Sequence, residues 1–512
     1  MNKQLKNYGH FDPSFPCVCI NFPDENIWNK YNEIKTLTEM RYFNEMSKIH
    51  PNWEFTNENL AKFLQSDFTG FSADTTEYFG EFIIKKYNKD ALDLFLISST
   101  HMHERRHFHD WLLCPNTSFV NAIKLSLCLN SRYNIHFLLN NTNIIPVPLT
   151  KWPKLNNSNK ELILKVMSNT VKDGDVKIPH ILDNPDFLKN IETVEKNYEI
   201  IDENFASIDN NINLHVSTIF EASAFCIQVQ NIHDAFGEKA QRFVERSIQR
   251  QNATYDYISG YMFHNVHSPS KPHIVPNQII LKLITWCQLG SPIVDRKNSN
   301  PLYRLSMLNE YIKEYGIPKE DINSNDLYTK IDKYLRCKSF KLCLQDSLEH
   351  PVIWDNNTDS YIGFLKKYDK NYFDEILSVY KYINECRERL VKTFLEDTDI
   401  YTDPIKYDNN VGNWIEPPII YNFQKPFYKL ESNEIGVYNN IELYKQKGKT
   451  NYIKSLKKEF GDSFDYNIAK SWQHYNDFTD ILFSQNKRDG ATYEDIIDEF
   501  KDNGIQLFEL FI

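Results

Sequence analysis

Apolar residues recur every three to four positions along most of this chain, the spacing that places them on one face of a helix. The segment from Ala91 to Cys114 passes from apolar to polar, and any helix there ends by Cys114 because Pro115 disfavours a helical conformation in the residue before it. Further helices are predicted at about 27–49, 57–65, 76–88, 118–130, 183–205, 214–236, 238–251, 277–289, 302–315, 324–337 and 368–396.

Strand patterns are few and short. The stretch CVCINF, within an otherwise irregular segment 1–26, and YNIHFLLN at 133–140 have the composition of strands. The Pro/Asn-rich residues 140–160 predict a loop, and 401–440 predict irregular structure. The apolar C-terminal tail IQLFELFI is expected to pack on the core or on a partner. The predicted fold class is mainly α (α+β), with a small β component and a large helical C-terminal region.

The breaker-rich stretch FHNVHSPSKPHIVP at 263–276 is the predicted domain boundary. It leaves an N-terminal region at 1–75, a domain at 76–265 that contains a histidine-rich segment, and a mostly helical region at 277–512. The last of these carries no catalytic pattern, and we expect it to recognise a partner or to regulate the rest of the chain.

Composition and charge exclude several classes. Hydrophobic residues make up 41% and charged residues 25%, as in globular proteins. A net charge of −11 argues against broad nucleic-acid binding. Neither a membrane span nor a signal peptide is apparent. The nine cysteines form no CxxC pair, which argues against a disulfide framework and a thiolate zinc site. We therefore expect a cytoplasmic protein.

The stretch STHMHERRHFHDWLLCP, 99–115, holds four of the fifteen histidines. On a helix, His103 and His107 lie one turn apart on one face, so both imidazoles can reach one ion at about 2.0–2.1 Å. Glu104 lies about 100° round the helix, beside that ion, where a carboxylate can accept a proton from an activated water. His101 and His109 lie off this face. The neighbouring arginines 105 and 106 are expected to be solvated, or else to hold an acidic group of a substrate.

HERRH resembles the HExxH motif of the zincin metallopeptidases, although no longer stretch of the chain does. The resemblance implies a zincin-like helical core that binds Zn²⁺ through His103 and His107. It also implies that Glu104 is the general base in the hydrolysis of a protein or peptide.

The third ligand has to come from elsewhere, because the metzincin extension is absent: residue 110 is Asp and residue 113 is Leu. In gluzincins a downstream helix supplies a glutamate, and Glu221 in STIFEASAFCIQVQNIH loosely resembles it. A lone carboxylate in an apolar helix is costly unless a cation pairs with it. The alternative is a capping box, in which Thr218 and Glu221 close the start of the helix. Other ligand candidates are Asp110, His136, His215 and Glu245.

Supporting roles have candidates too. Asp110 is seven residues after His103 and could orient a ligand imidazole, although a fourth ligand or a surface acid are alternatives. Zincins often use a downstream Tyr or His to stabilise the oxyanion. The stretch TYDYISGYMFHNVH offers such residues, with aromatic packing as the alternative; they are Tyr255, Tyr257, Tyr261 and His264.

The sequence thus predicts a zinc-dependent hydrolase, an intracellular metallopeptidase that cleaves a protein or peptide. A regulatory protein partner would restrain it, an arrangement that resembles bacterial toxins and defence effectors. The alternative is a non-catalytic helical binding or regulatory protein with a structural or degenerate metal site.

Overall fold

A computed structural model describes part of the chain. The described residues are 8–12, 16–22, 89–123, 127, 142–170, 182, 184–205, 216–236, 241, 262, 275–349, 382–412, 414–423, 435–438, 480–483 and 506–510. They are mainly helical with small sheets, as predicted. The helices predicted at 27–49, 57–65 and 76–88 and the strand at 133–140 lie outside them, as does almost all of 238–251.

The elements follow in chain order. The strands are β1 (Gly9–Asp12), β2 (Cys17–Phe22), β3 (Ile144–Val147), β4 (Ile419–Phe423), β5 (Ile435–Tyr438) and β6 (Gln506–Glu509). The helices are α1 (Lys89–Leu113), α2 (Asn157–Thr170), α3 (Pro185–Phe205), α4 (Val216–Phe236), α5 (Asn277–Gln288), α6 (Pro301–Tyr315), α7 (Ser324–Leu335) and α8 (Phe340–Glu349). Residues 382–396 are also helical. Short helical turns occur at Leu149–Lys154, Arg296–Asn298, Thr398–Tyr401, Pro404–Tyr407 and Asp408–Gly412.

Two compact units divide the chain, and they are interleaved in sequence. Unit 1 comprises 1–118, 207–351 and 377–462, and unit 2 comprises 119–206, 352–376 and 463–512. These boundaries differ from the predicted division into 1–75, 76–265 and 277–512. The difference arises because strands distant in sequence pair with each other, which a search for linkers does not detect.

Unit 1 contains a four-stranded sheet in the order β1-β2-β4-β5. β2 runs antiparallel to β1, with Gly9 opposite Ile20, and parallel to β4, with Val18 opposite Ile419. All six residues of β2 are buried, which explains the continuous apolar run CVCINF. The prediction of irregular structure at 401–440 is wrong at β4 and β5, which obtain their hydrogen bonds through the sheet.

Helix α1 packs against β1, β2 and α4 and is buried along its second half, with Phe108, Trp111 and Leu112 fully buried. It ends at Leu113, as predicted. Gly9 permits the close approach of β1, because a Cβ there would lie 2.6 Å from Cys19 O and 3.0 Å from Thr100 Cγ2.

The helices after residue 275 start where the local sequence indicates. Asn300 accepts hydrogen bonds from two backbone N–H groups of α6, and Pro301 occupies the first helical position. Asn323 caps α7 in the same way. The predicted helices at 277–289, 302–315 and 324–337 are therefore confirmed within two residues, whereas α8 was not predicted.

Unit 2 has its own core, centred on the fully buried Trp152 and on side chains of α3. β3 pairs in parallel with β6, Ile144 lying opposite Gln506. The prediction of a loop at 140–160 is wrong, because the distant C-terminal tail completes the backbone pairing of β3. The expectation that this tail packs on a core is confirmed: Leu510 is buried and its N–H donates to Val147 O (2.7 Å).

Candidate metal centre

Helices α1 and α4 bring the candidate residues together. They run antiparallel, because Ser99 contacts Gln228 at one end of the contact and His107 contacts Glu221 at the other. Residues 222–224 of α4 (Ala, Ser, Ala) are fully buried, and their small side chains allow close packing of the two helices. Two packed helices hold side chains more rigidly than loops do.

Three donor atoms converge between these helices. His103 Nε2 lies 3.0 Å from His107 Nε2 and 3.1 Å from Glu221 Oε2, and His107 Nε2 lies 3.4 Å from Glu221 Oε1. Ligands of one tetrahedral ion, each about 2.0–2.1 Å from it, are separated by about 3.3 Å. The cluster therefore has the size of a single coordination sphere, and two imidazoles with a carboxylate form a donor set that Zn²⁺ accepts.

Glu221 occupies the second turn of α4 and faces α1. Because α4 begins at Val216, Thr218 and Glu221 lie inside the helix and do not form a capping box at its start. Of the other candidate ligands, Asp110 does not join the cluster. His136, His215 and Glu245 lie outside the described residues.

The cluster is buried on one side and accessible on the other. The side chains of His103 and His107 are 13% and 7% exposed, whereas that of Glu221 is 36% exposed. No fourth His, Cys, Asp or Glu side chain joins these three in the part of the chain that the structure describes. Three protein ligands with access from one side are typical of catalytic zinc sites, and structural sites usually have four.

The electrostatics favour positive charge between the ligands. Burial lowers the pKa of His107, but the negative charge and hydrogen bond of Glu221 outweigh it and raise the pKa to about 9. Burial raises the pKa of Glu221, but His107 and His103 together lower it far below its usual range. In the metal-free protein, a proton on His107 therefore supplies the positive charge that a metal ion would replace.

A hydrogen-bond relay that sequence reasoning missed holds His103. His103 Nδ1 lies 3.1 Å from Gln228 Oε1, and Gln228 Nε2 donates to Ser99 O (3.0 Å) and Ser99 Oγ (2.6 Å). A signal was present in the sequence: Gln228 is seven residues after Glu221 and Ser99 is four residues before His103, so each shares a helix face with a ligand.

Glu104 lies next to the ligands on α1 and is 7% exposed. Its negative charge is among the causes that raise the pKa of His107.

Asp110 is not hydrogen-bonded to either ligand histidine. It is fully buried, lies 3.2 Å from Arg106 Nε and accepts a hydrogen bond from Tyr401 Oη (2.7 Å). The expectation of a solvated Arg106 is wrong, because its guanidinium is fully buried, donates to Ser223 Oγ (3.0 Å) and lies 3.5 Å from the Tyr401 ring centre. Arg105 is buried as well and faces Glu416 (3.8 Å).

His101 and His109 do not belong to the cluster, as predicted. His109 Nε2 donates to Ile415 O (2.6 Å), so Nδ1 accepts from Tyr407 Oη (2.5 Å). Burial lowers the pKa of His109 to about 3, with a further lowering from the positive charges of Arg105 and Arg106. His109 is therefore neutral and structural.

The oxyanion candidates Tyr255, Tyr257, Tyr261 and His264 lie outside the described residues. Across the described ranges, no helix is both long and apolar enough to cross a membrane. Comparisons of the chain with protein-family models, curated proteins and solved structures find no match.

Proposed function

We propose that this protein is a zinc-dependent hydrolase, and more specifically a metallopeptidase of zincin type that cleaves a protein or peptide. The observation that carries the proposal is the convergence of His103 Nε2, His107 Nε2 and the Glu221 carboxylate, with Glu104 next to His103 on the same helix. The partial exposure of the cluster favours catalysis over a closed structural site.

His103, His107 and Glu221 would bind the ion, and Glu104 would accept and then donate a proton. A bound zinc would polarise the scissile carbonyl and acidify water. The Glu104 carboxylate accepts a proton from the attacking water and delivers it to the leaving amine, the role of a general base that then becomes a general acid. Glu104 and both histidines lie on α1, so the same buried helix sets the base and two ligands in register.

Strand β1 borders the proposed centre. It lies at one end of the sheet order, and the Phe11 ring on this strand is 6.4 Å from the His107 ring.

The experiment that tests the proposal combines zinc content with cleavage. Wild type and Glu104→Gln are purified without a histidine tag, their zinc per chain is measured, and both are incubated with a proteome-derived peptide library read by mass spectrometry. We expect Glu104→Gln to retain zinc and to lose cleavage by roughly 10²–10⁴-fold. The matched control is Glu310→Gln, which makes the same change at an exposed residue and should leave zinc content and cleavage unchanged.

Undiminished cleavage by Glu104→Gln would contradict the mechanism. One zinc per chain with no cleavage by wild type would instead favour the alternative, a helical binding protein with a structural metal site. The two functions are thus separated by the same pair of measurements.

A further inference from the structure

We propose that Gln228 is a positioning residue that holds His103 with its Nε2 facing the metal, and that Ser99 in turn holds Gln228. This inference rests on the proposed zinc site and assigns the residues that orient one of its ligands. Both residues are buried, Gln228 being 3% and Ser99 4% exposed.

The direction of each hydrogen bond follows from Ser99. Its backbone oxygen can only accept, so the Gln228 group 3.0 Å away is the amide nitrogen. Gln228 Oε1 therefore faces His103 Nδ1, and because this oxygen can only accept, Nδ1 carries the proton. In neutral His103, Nε2 then has the free lone pair, and this is the atom that lies 3.0 Å from His107 Nε2.

Helix spacing places each member of the relay on the same helix face as a proposed ligand. Ser99 lies one turn before His103 on α1, and Gln228 lies two turns after Glu221 on α4. A buried amide orients the imidazole without adding a negative charge next to Glu221 and Glu104. Partners of this kind fix the ring orientation and tautomer of metal-binding histidines.

The test measures zinc affinity of the full-length protein by competition with a chelator. Gln228→Leu keeps a side chain of similar size at the position but removes both hydrogen-bonding groups, and we expect zinc affinity to fall by about 10–100-fold. Gln228→Glu retains an acceptor for His103 Nδ1–H but cannot donate to Ser99 O, so we expect it to recover only part of that loss. Gln230→Leu is the matched control, because it makes the same change about 200° round the helix.

Two further readouts distinguish orientation from general stability. The visible absorption of the cobalt-substituted protein reports ligand geometry, and we expect it to change in Gln228→Leu but not in Gln230→Leu. In zinc-loaded wild type, the His103 Nδ1–H proton should exchange slowly with solvent in NMR spectra, a result that does not depend on how any variant folds.

The outcomes separate this inference from the proposed function. Wild-type zinc affinity in Gln228→Leu, or fast exchange of the His103 Nδ1 proton, would overturn the relay while leaving the zinc site in place. A wild-type protein that binds no zinc would overturn both.

Discussion

Replacing Arg106 by Met should destabilise α1, the helix that carries the two candidate histidine ligands. Arg106 and Asp110 are both fully buried, and Arg106 Nε is 3.2 Å from Asp110 Oδ1. Burial lowers the pKa of Arg106, but the negative charge of Asp110 and the interactions with Tyr401 and Tyr407 together raise it, so the guanidinium is charged. Arg106→Met keeps much of the apolar stem yet leaves the Asp110 carboxylate buried without its ion-pair partner.

The expected magnitude follows from the contacts that are lost. Removing one partner of a buried ion pair costs about 3–5 kcal/mol, because the remaining charge is left unpaired. The contact of the guanidinium with the Tyr401 ring, at 3.5 Å, contributes as well, about 2 kcal/mol for a desolvated pair. These terms are not additive, and Tyr401 Oη still donates to Asp110 in the variant. We therefore expect a loss of about 3–5 kcal/mol.

Hydrogen exchange of peptides from α1 measures this loss locally, without assuming that both units unfold together. Since about 1.4 kcal/mol corresponds to a factor of ten, amide exchange in α1 should accelerate by roughly one hundred-fold to a few thousand-fold. The control Arg389→Met replaces an exposed arginine and should change exchange very little.

The double variant Arg106→Met/Asp110→Asn removes both charges. Because no unpaired carboxylate is left buried, its α1 amides should exchange several-fold more slowly than those of Arg106→Met. Exchange within threefold of wild type in Arg106→Met would refute the reasoning. A double variant as unstable as the sum of its single variants would also refute it.

Three shorter predictions concern the metal ligand, the pH dependence and the tail. Glu221→Ala should weaken zinc binding, measured by chelator competition, by more than the roughly 100-fold reached by changes outside the ligand set. In urea titrations, metal-free unit 1 should be most stable near pH 6.5. Below that pH the unfolded chain protonates His109, whereas the folded chain keeps it neutral because its pKa is about 3, so stability falls. As the pH rises towards 9, the folded chain loses the His107 proton that is paired with Glu221, and stability falls again. His109→Gln should remove the fall in the free energy of unfolding between pH 6.5 and 4.5. An unchanged fall would contradict the assignment of this pH dependence to His109. Leu510→Ala should destabilise unit 2 by about 2–5 kcal/mol, seen as faster exchange in β3, whereas the exposed Leu162→Ala should not.

Helices with local start and stop signals were predictable. The asparagines before α6 and α7 and the proline after Cys114 act within a few residues, so the sequence around them contains all that is needed. β3 could not be predicted in this way, because its partner β6 is about 360 residues further along the chain. Pro146 and the two prolines that follow the strand, Pro148 and Pro153, instead suggested a loop.

The candidate site was predictable where one helix carries the pattern. The spacing of His103 and His107 requires only that α1 be helical, and Glu221 was conspicuous as a lone acid in an apolar helix. The relay through Gln228 and Ser99 was missed, because either residue alone resembles an ordinary polar side chain. Their roles depend on the register between α1 and α4, which no local pattern specifies.

The two arginines of α1 show the same limit. The two arginines of HERRH were expected to be solvated, because arginine side chains in a polar helix usually reach water. Tertiary packing instead buries Arg106 against Tyr401, from a segment almost 300 residues away. Within-helix spacing, a property of the covalent chain, was sufficient to select two candidate ligands and a candidate base. The third ligand, the orientation of His103 and the burial of the arginines required distant segments to meet, because those interactions exist only once the helices have packed.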